Sequence, residues 1–388
     1  MPDLFLSIIG LYFLIISIKD KLFYYFKDKF ILILALFYIF LLISGLLSDD
    51  PFNSLINFNG PIFYFRYIFF ILAVKYLLVK NIKILKPFTY ILVSTVVFTV
   101  IDGFIQYLTG SNIFGFPPTG NRITGMFKDE EILGHFLAHI TPVALALIIY
   151  FLKLKNIKQI IFIMFFLVIC EVMIFISNDR AGFLKIFQFT LLLIFLSNNF
   201  KLFRLISFSI SILIIFLLIN FSDHSNKRLD DTIREVSSTT IPYMPWSALH
   251  EKHYKIAFKI YKENPIFGGG PQKFKYYCTQ NPKIEGCTSQ PHNYYIQTLS
   301  ELGIPGIVFL SLGFFYFLLR LLSQFVRVWF IKKSDKKFPD HIVVLNSQIF
   351  LIFWPLIPTQ SFYNNWLNVF IFLTIALNYY FSNEKEHA

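Results

Sequence analysis

IKQIIFIMFFLVICEVMIFIS, residues 157–177, holds one lysine, one glutamine and one glutamate among otherwise apolar or small positions. A bilayer's hydrocarbon core needs about 20 predominantly apolar residues in helical form. A stretch this apolar on all sides has no face to offer water, so it reads as a membrane span. The rest of the chain repeats the pattern. Ten further spans are read at 4–18, 30–47, 61–79, 87–108, 132–152, 182–196, 203–221, 299–319, 342–357 and 361–381. Of the 388 residues, 56% are hydrophobic and 15% charged, against roughly 25% charged in soluble domains. The mean hydropathy is +0.61. The 50 phenylalanines fit a coding bias toward Phe, Ile and Lys more simply than an aromatic function.

The net charge of +12 reads as membrane orientation, because short loops alternate between basic and non-basic. One set holds Lys19, Lys21, Lys27 and Lys29; then Lys75, Lys80, Lys83 and Lys86; then Lys153, Lys155 and Lys158; then Lys201 and Arg204. It continues with Arg320, Arg327, Lys332, Lys333, Lys336 and Lys337, and ends with Lys385. The other set holds Asp49 and Asp50, then Arg122 and Lys128, then Arg180, and no Lys or Arg across 358–366. The positive-inside rule makes the first set cytoplasmic. The loops 109–131, 178–181 and 222–298 then face the opposite side, the last being long enough to escape the charge rule. No basic leader precedes the first span, so no cleavable signal is read there. No internal repeat of the inverted-transporter kind is seen.

The expected fold is all-α and polytopic, with about 11–12 transmembrane helices and one long periplasmic loop. Its divisions are 1–221 (a bundle of about eight spans), 222–298 (the loop) and 299–388 (about three spans).

Polar chemistry concentrates in that loop. Cys278 and Cys287 stand nine positions apart in it, and in an oxidising compartment they are expected to pair. Two cysteines alone make a poor zinc site. Residues 247–263 read as an amphipathic helix stopped by Asn264-Pro265. It suits either the membrane surface or a structural cover. Gly268-Gly269-Gly270-Pro271 is either a turn or a backbone cradle for phosphate; it lacks the Lys-Ser/Thr of a nucleotide loop. His292, in Gln290-Pro291-His292-Asn293 just before an apolar helix, has a side chain suited to proton transfer near neutral pH.

Arginines form a second constellation. Arg180 lies in the turn Ser177-Asn178-Asp179-Arg180-Ala181-Gly182, Arg122 in an earlier loop, and Arg66 about five residues inside a span. Guanidinium groups on one face can clamp a diphosphate. The competing readings are an Asp179 ion pair or snorkelling for Arg180, and pairing with Asp102 or Glu171 for Arg66. His135 and His139 have i, i+4 spacing, but HExxH is absent and the carboxylates 129–131 suit a helix start. No metal site is expected.

In order, side and spacing, several of these pieces resemble the O-antigen ligase/polymerase family of the bacterial cell envelope. The pieces are 264–271 (NPIFGGGP), the Cys278/Cys287 pair, Pro291-His292-Asn293, 301–306 (ELGIPG) and the 177–182 arginine turn, with 120–127 (GNRITGMF) and 131–134 upstream. The resemblance covers roughly 160–315. It implies a GT-C-like membrane glycosyltransferase of about twelve spans, acting on a glycan carried by undecaprenyl diphosphate at the periplasmic face of the inner membrane. It implies no cofactor, metal, nucleotide or nucleic-acid partner. Ligases pass the glycan to lipid A-core; polymerases pass it to another repeat unit. The chain departs from the family in its count of eleven spans and in lacking an arginine before the NPIFGG segment, where His250-Glu251-Lys252-His253-Tyr254 stands.

The expected reaction is inverting transfer of O-antigen glycan to lipid A-core, with His292 as general base and Arg180 stabilising the leaving diphosphate. Arg122, Arg66, His250, Lys252 and Asn293 are the expected substrate contacts. The rivals are polymerisation of lipid-linked repeats and transport of a lipid-linked glycan without bond change.

Overall fold

The computed structural model describes residues 2–56, 60–152, 156–221, 230, 233, 234, 237, 247–331 and 337–383. Lys153, Lys155, Lys332, Lys333, Lys336, Lys385 and much of the segment 222–246 lie outside the described residues. In chain order the helices are α1 (Pro2–Lys19), α2 (Lys29–Leu46), α3 (Pro51–Leu55), α4 (Phe65–Lys80), α5 (Leu85–Thr109), α6 (Leu133–Leu152) and α7 (Ile157–Ile176). They continue with α8 (Arg180–Leu196), α9 (Lys201–Phe221), α10 (Ala248–Glu263), α11 (Lys273–Gln280), α12 (Tyr294–Trp329), α13 (Asp340–Ile352) and α14 (Asn365–Ser382). No strand forms among the described residues; Thr119 and Arg122 make an isolated bridge.

Every stretch read as a span carries a helix. Among the described residues seven helices are long and apolar enough to cross a membrane: Lys29–Leu46, Pro61–Lys80, Ile82–Thr109, Leu133–Leu152, Ile157–Ile176, Lys201–Phe221 and Tyr294–Trp329. The other four read as spans are shorter or more polar. Two boundaries moved for plain reasons. The helix expected to reach residue 357 stops at Ile352, because Pro355 and Pro358 lack N–H groups and disfavour helix before them. The one expected over 299–319 runs through Tyr294–Trp329 and kinks at Gly303.

By its contacts the chain divides into two units, each built from separated segments. The first comprises Met1–Lys80, Glu235–Tyr316 and Phe353–Ala388. Here α4 packs against α1 and α14 around Leu6, Leu41, Tyr64, Tyr67, Phe70, Leu302 and Tyr363. Aromatic faces close the seams: Tyr67 stacks on Phe372 at 4.4 Å and Phe37 on Phe309 at 3.8 Å. Lys75 is buried in α4, where its ammonium donates to the Tyr379 hydroxyl at 3.1 Å and lies 4.3 Å from that ring's centre.

The second unit comprises Asn81–Arg234 and Phe317–Ile352. Helix α6 is buried along nearly its whole length, as expected of a helix apolar on every face. A charge pair lies within this unit. Arg204 of α9 bonds Glu171 of α7 and Thr190 of α8, and Ser211 donates to the other Glu171 oxygen at 2.6 Å. A charge in lipid is costly unless paired, and these partners supply the pairing.

Candidate functional site

The glycine triplet belongs to the scaffold of the first unit. At Gly303 the backbone takes φ 64 and ψ −154, a region open essentially to glycine alone, and α12 bends there. The bend turns the Ile304 N–H away from the Ser300 carbonyl, and Pro305 has no N–H to offer the Glu301 carbonyl. The N–H groups of Gly269 and Gly270 fill those seats at 2.9 and 3.0 Å, and the Ile304 N–H donates to Pro265 at 3.2 Å. The Gly268 N–H is taken by Asn264 at 2.9 Å. A Cβ on Gly268 would lie 2.3 Å from the Glu301 carbonyl carbon. With all three glycine N–H groups engaged, the phosphate-cradle alternative falls and the triplet is a strap across the kink. The buried Glu301 carboxylate accepts from the Phe274 N–H at 3.3 Å and from the Gln297 amide at 3.3 Å. The glycine run and the ELGIPG segment therefore meet as the two sides of one joint.

That joint holds the start of α12, and with it His292. Asn293 caps the helix: its side-chain oxygen accepts the N–H groups of Tyr295 and Ile296 at 2.9 and 3.1 Å, and its amide donates to the Pro355 carbonyl at 2.7 Å. His292 has a left-handed φ of 57, and its carbonyl accepts the Thr359 N–H at 2.8 Å. The Gln290 amide nitrogen lies 3.3 Å from His292 Nδ1 and the same distance from Gln360 Oε1.

Two histidines of α10 face this ring. The His250 and His253 centroids each lie 5.6 Å from that of His292. His250 also closes the start of α10, its Nδ1 accepting the Ser247 N–H at 3.3 Å. His253 is buried, and its Nδ1–H donates to the Gly286 carbonyl at 2.6 Å, which leaves Nε2 as its unprotonated nitrogen. Gly286 sits in the hairpin closed by the Cys278–Cys287 disulfide, whose Cα atoms are 5.0 Å apart. Lys252 pairs with Glu285 of the same hairpin. Burial pushes the His292 imidazole down to about 4, helped by the neighbouring His253, while a backbone hydrogen bond with Thr359 works the other way. Burial also lowers His253 and pushes the Tyr254 phenol up to about 12. The ring of His292 is therefore neutral at physiological pH, as a proton acceptor must be.

The second unit gathers the Arg122 and Arg180 loops. Thr119 and Arg122 exchange backbone hydrogen bonds of 3.1 and 3.0 Å across Gly120-Asn121. The Asn178 amide donates to the Asn121 carbonyl, tying the two loops together. Asp179 caps α8 through the Gly182 N–H at 3.0 Å, with Arg180 as the first helical residue. Arg122 Nε pairs with Glu131 at 3.1 Å. Asp102 holds the loop below by accepting the Ile113 N–H at 3.0 Å. His139 has both nitrogens engaged: Nδ1–H donates to the His135 carbonyl at 2.8 Å, and Nε2 faces the Lys185 ammonium at 3.0 Å. No group of three His, Cys, Asp or Glu among the described residues is arranged to hold a metal. Arg66, in the first unit, donates to Asn365 Oδ1 at 2.8 Å and to the Tyr67 hydroxyl at 3.2 Å.

His253 is the member of the cluster that sequence reasoning passed over. Its signal was the i, i+3 spacing from His250 on an amphipathic helix, which puts both on one face.

Helices of this length and polarity, with polar side chains gathered at loops, define a polytopic all-helical membrane protein. Within it, residues 163–311 match the family model described as O-antigen ligase. The match covers that stretch and supports a function of the O-antigen ligase or polymerase type in general. No curated protein matches the chain.

Proposed function

We propose that the protein is an O-antigen ligase of the bacterial inner membrane. On this reading it moves glycan from undecaprenyl diphosphate to lipid A-core on the periplasmic side. The observation that carries it is His292, held neutral at a fixed backbone position beside His250 and His253. A neutral imidazole takes the proton of the acceptor hydroxyl as that oxygen attacks the anomeric carbon, and the bond to the diphosphate breaks with inversion. Turning the Gln290 and Gln360 amides together presents the Gln290 oxygen to Nδ1–H, keeps a hydrogen bond between the two amides and leaves His292 Nε2 as the base. His250, on the opposite wall, takes the place where the family keeps an arginine and contacts substrate together with Lys252. Asn293 orients the catalytic turn.

Arg180, with Arg122 on the loop tied to it, binds the departing diphosphate and stabilises the charge it gathers. A diphosphate leaves without a general acid, so one base and a cationic clamp suffice.

Deleting the gene in its host and resolving the lipopolysaccharide by electrophoresis tests the reading. Loss of all O-antigen with accumulation of lipid-linked polymer is expected. Lipopolysaccharide capped with a single repeat would assign a polymerase, and an unchanged ladder would overturn both.

A further inference from the structure

Arg66 lies in the first turn of α4, inside a membrane-spanning segment, yet its partners are a phenol and a carboxamide, Tyr67 and Asn365. Its guanidinium carbon lies 5.0 Å from the centre of the Tyr67 ring, and its Nε has no hydrogen-bond partner. No carboxylate pairs with it among the described residues. Asp102 and Glu171, the acids considered from the sequence, are engaged inside the second unit by Ile113 and Arg204. A cation within a bilayer that meets only neutral groups lacks the counter-charge such sites ordinarily have.

Beside it runs a groove of about 240 Å³ between α1 and α4, walled by Leu11, Leu14, Phe63, Phe65 and Phe69 with Arg66 as its one charged side chain. Leu11, Phe63 and Phe65 are exposed, so this surface faces the lipid. An apolar trough beside an unpaired guanidinium has the chemistry of a lipid chain and its phosphate.

We infer that this groove binds one anionic phospholipid, its acyl chain between α1 and α4 and its phosphodiester on Arg66. A single guanidinium matches the single charge of a phosphodiester; a diphosphate would call for further cations, and the groove offers none. No carboxylate lines the groove to receive a headgroup ammonium, which favours an anionic lipid over a zwitterionic one. The occupant would supply the missing counter-charge through charge-assisted hydrogen bonds.

The test uses the full chain in detergent, titrated with phosphatidylglycerol or phosphatidylcholine and read by native mass spectrometry. One phosphatidylglycerol should bind in preference to phosphatidylcholine. Arg66→Ala should weaken it about fivefold, the effect of one basic side chain on an anionic lipid, and Arg66→Lys should keep most of the affinity. Leu11→Trp fills the groove from an exposed position and should displace the lipid with the fold intact. Equal binding of both lipids, or phosphatidylglycerol retention unchanged in Leu11→Trp, would overturn the assignment. Binding of a polyprenyl diphosphate in place of phosphatidylglycerol would overturn it too and give the groove to the glycan donor.

Discussion

Replacing His292 by asparagine isolates its chemistry, because the backbone there limits which substitution is clean. With φ at 57, a residue with a Cβ sits in the left-handed region, which asparagine tolerates and alanine resists by about 1–2 kcal/mol. His292→Asn therefore removes the imidazole while the Thr359 N–H keeps its bond to the residue 292 carbonyl at 2.8 Å. A positioned general base contributes about 10²- to 10⁴-fold, or roughly 2.7–5.4 kcal/mol of barrier. The assay is single-turnover transfer from undecaprenyl diphosphate-linked glycan to lipid A-core in proteoliposomes, with product resolved on a gel. His292→Asn should lose that factor in kcat with donor KM little changed and the wild-type melting temperature. His292→Ala should lose the same factor and also melt lower. An asparagine variant that transfers glycan within about threefold of wild type would refute the base assignment.

Further outcomes concern the surroundings of that ring. Because the His292 imidazole is lowered to about 4, the acid limb of kcat/KM should lie well below the ordinary histidine value of about 6.5. In His253→Gln the limb should rise, since a protonated His253 no longer repels a proton on His292. The same depression has a stability side: as pH falls from about 6.5 toward 4 the unfolded chain binds a proton that the folded chain refuses, so melting temperature should drop across that window. Arg180→Ala should cost about 10²- to 10³-fold in kcat, the loss typical of one charge-stabilising donor, and Arg180→Lys should recover only part of it because the planar fork is gone. Gly303→Ala should impair folding, measured by detergent melting, because its Cβ would lie 2.3 Å from the Ile266 carbonyl oxygen. Cys278→Ser should lower stability by about 2–3 kcal/mol on the chain-entropy model, and loosening the hairpin that carries Gly286 should also reduce transfer.

The helices were legible in the sequence because their cause is local. A stretch such as Ile157–Ile176 must satisfy its backbone within itself once it leaves water, and its composition alone states that condition. The starts were local too: Asp179 caps α8 and Asn293 caps α12, each a side chain acting on its own neighbours. What local pattern cannot state is which faces meet. In helices apolar all round, periodicity marks no buried stripe, and packing follows shape rather than polarity. Tertiary structure therefore decided that the Gly269 and Gly270 N–H groups answer the carbonyls freed at the Gly303 kink. It decided that the chain divides into two units whose segments interleave along the sequence. It also brought His250 and His253 of α10 across to His292, through a hairpin whose Gly286 carbonyl receives His253. The sequence named a histidine and a set of arginines as chemistry-bearing; the environment that keeps that histidine neutral arises only where distant segments exclude water together.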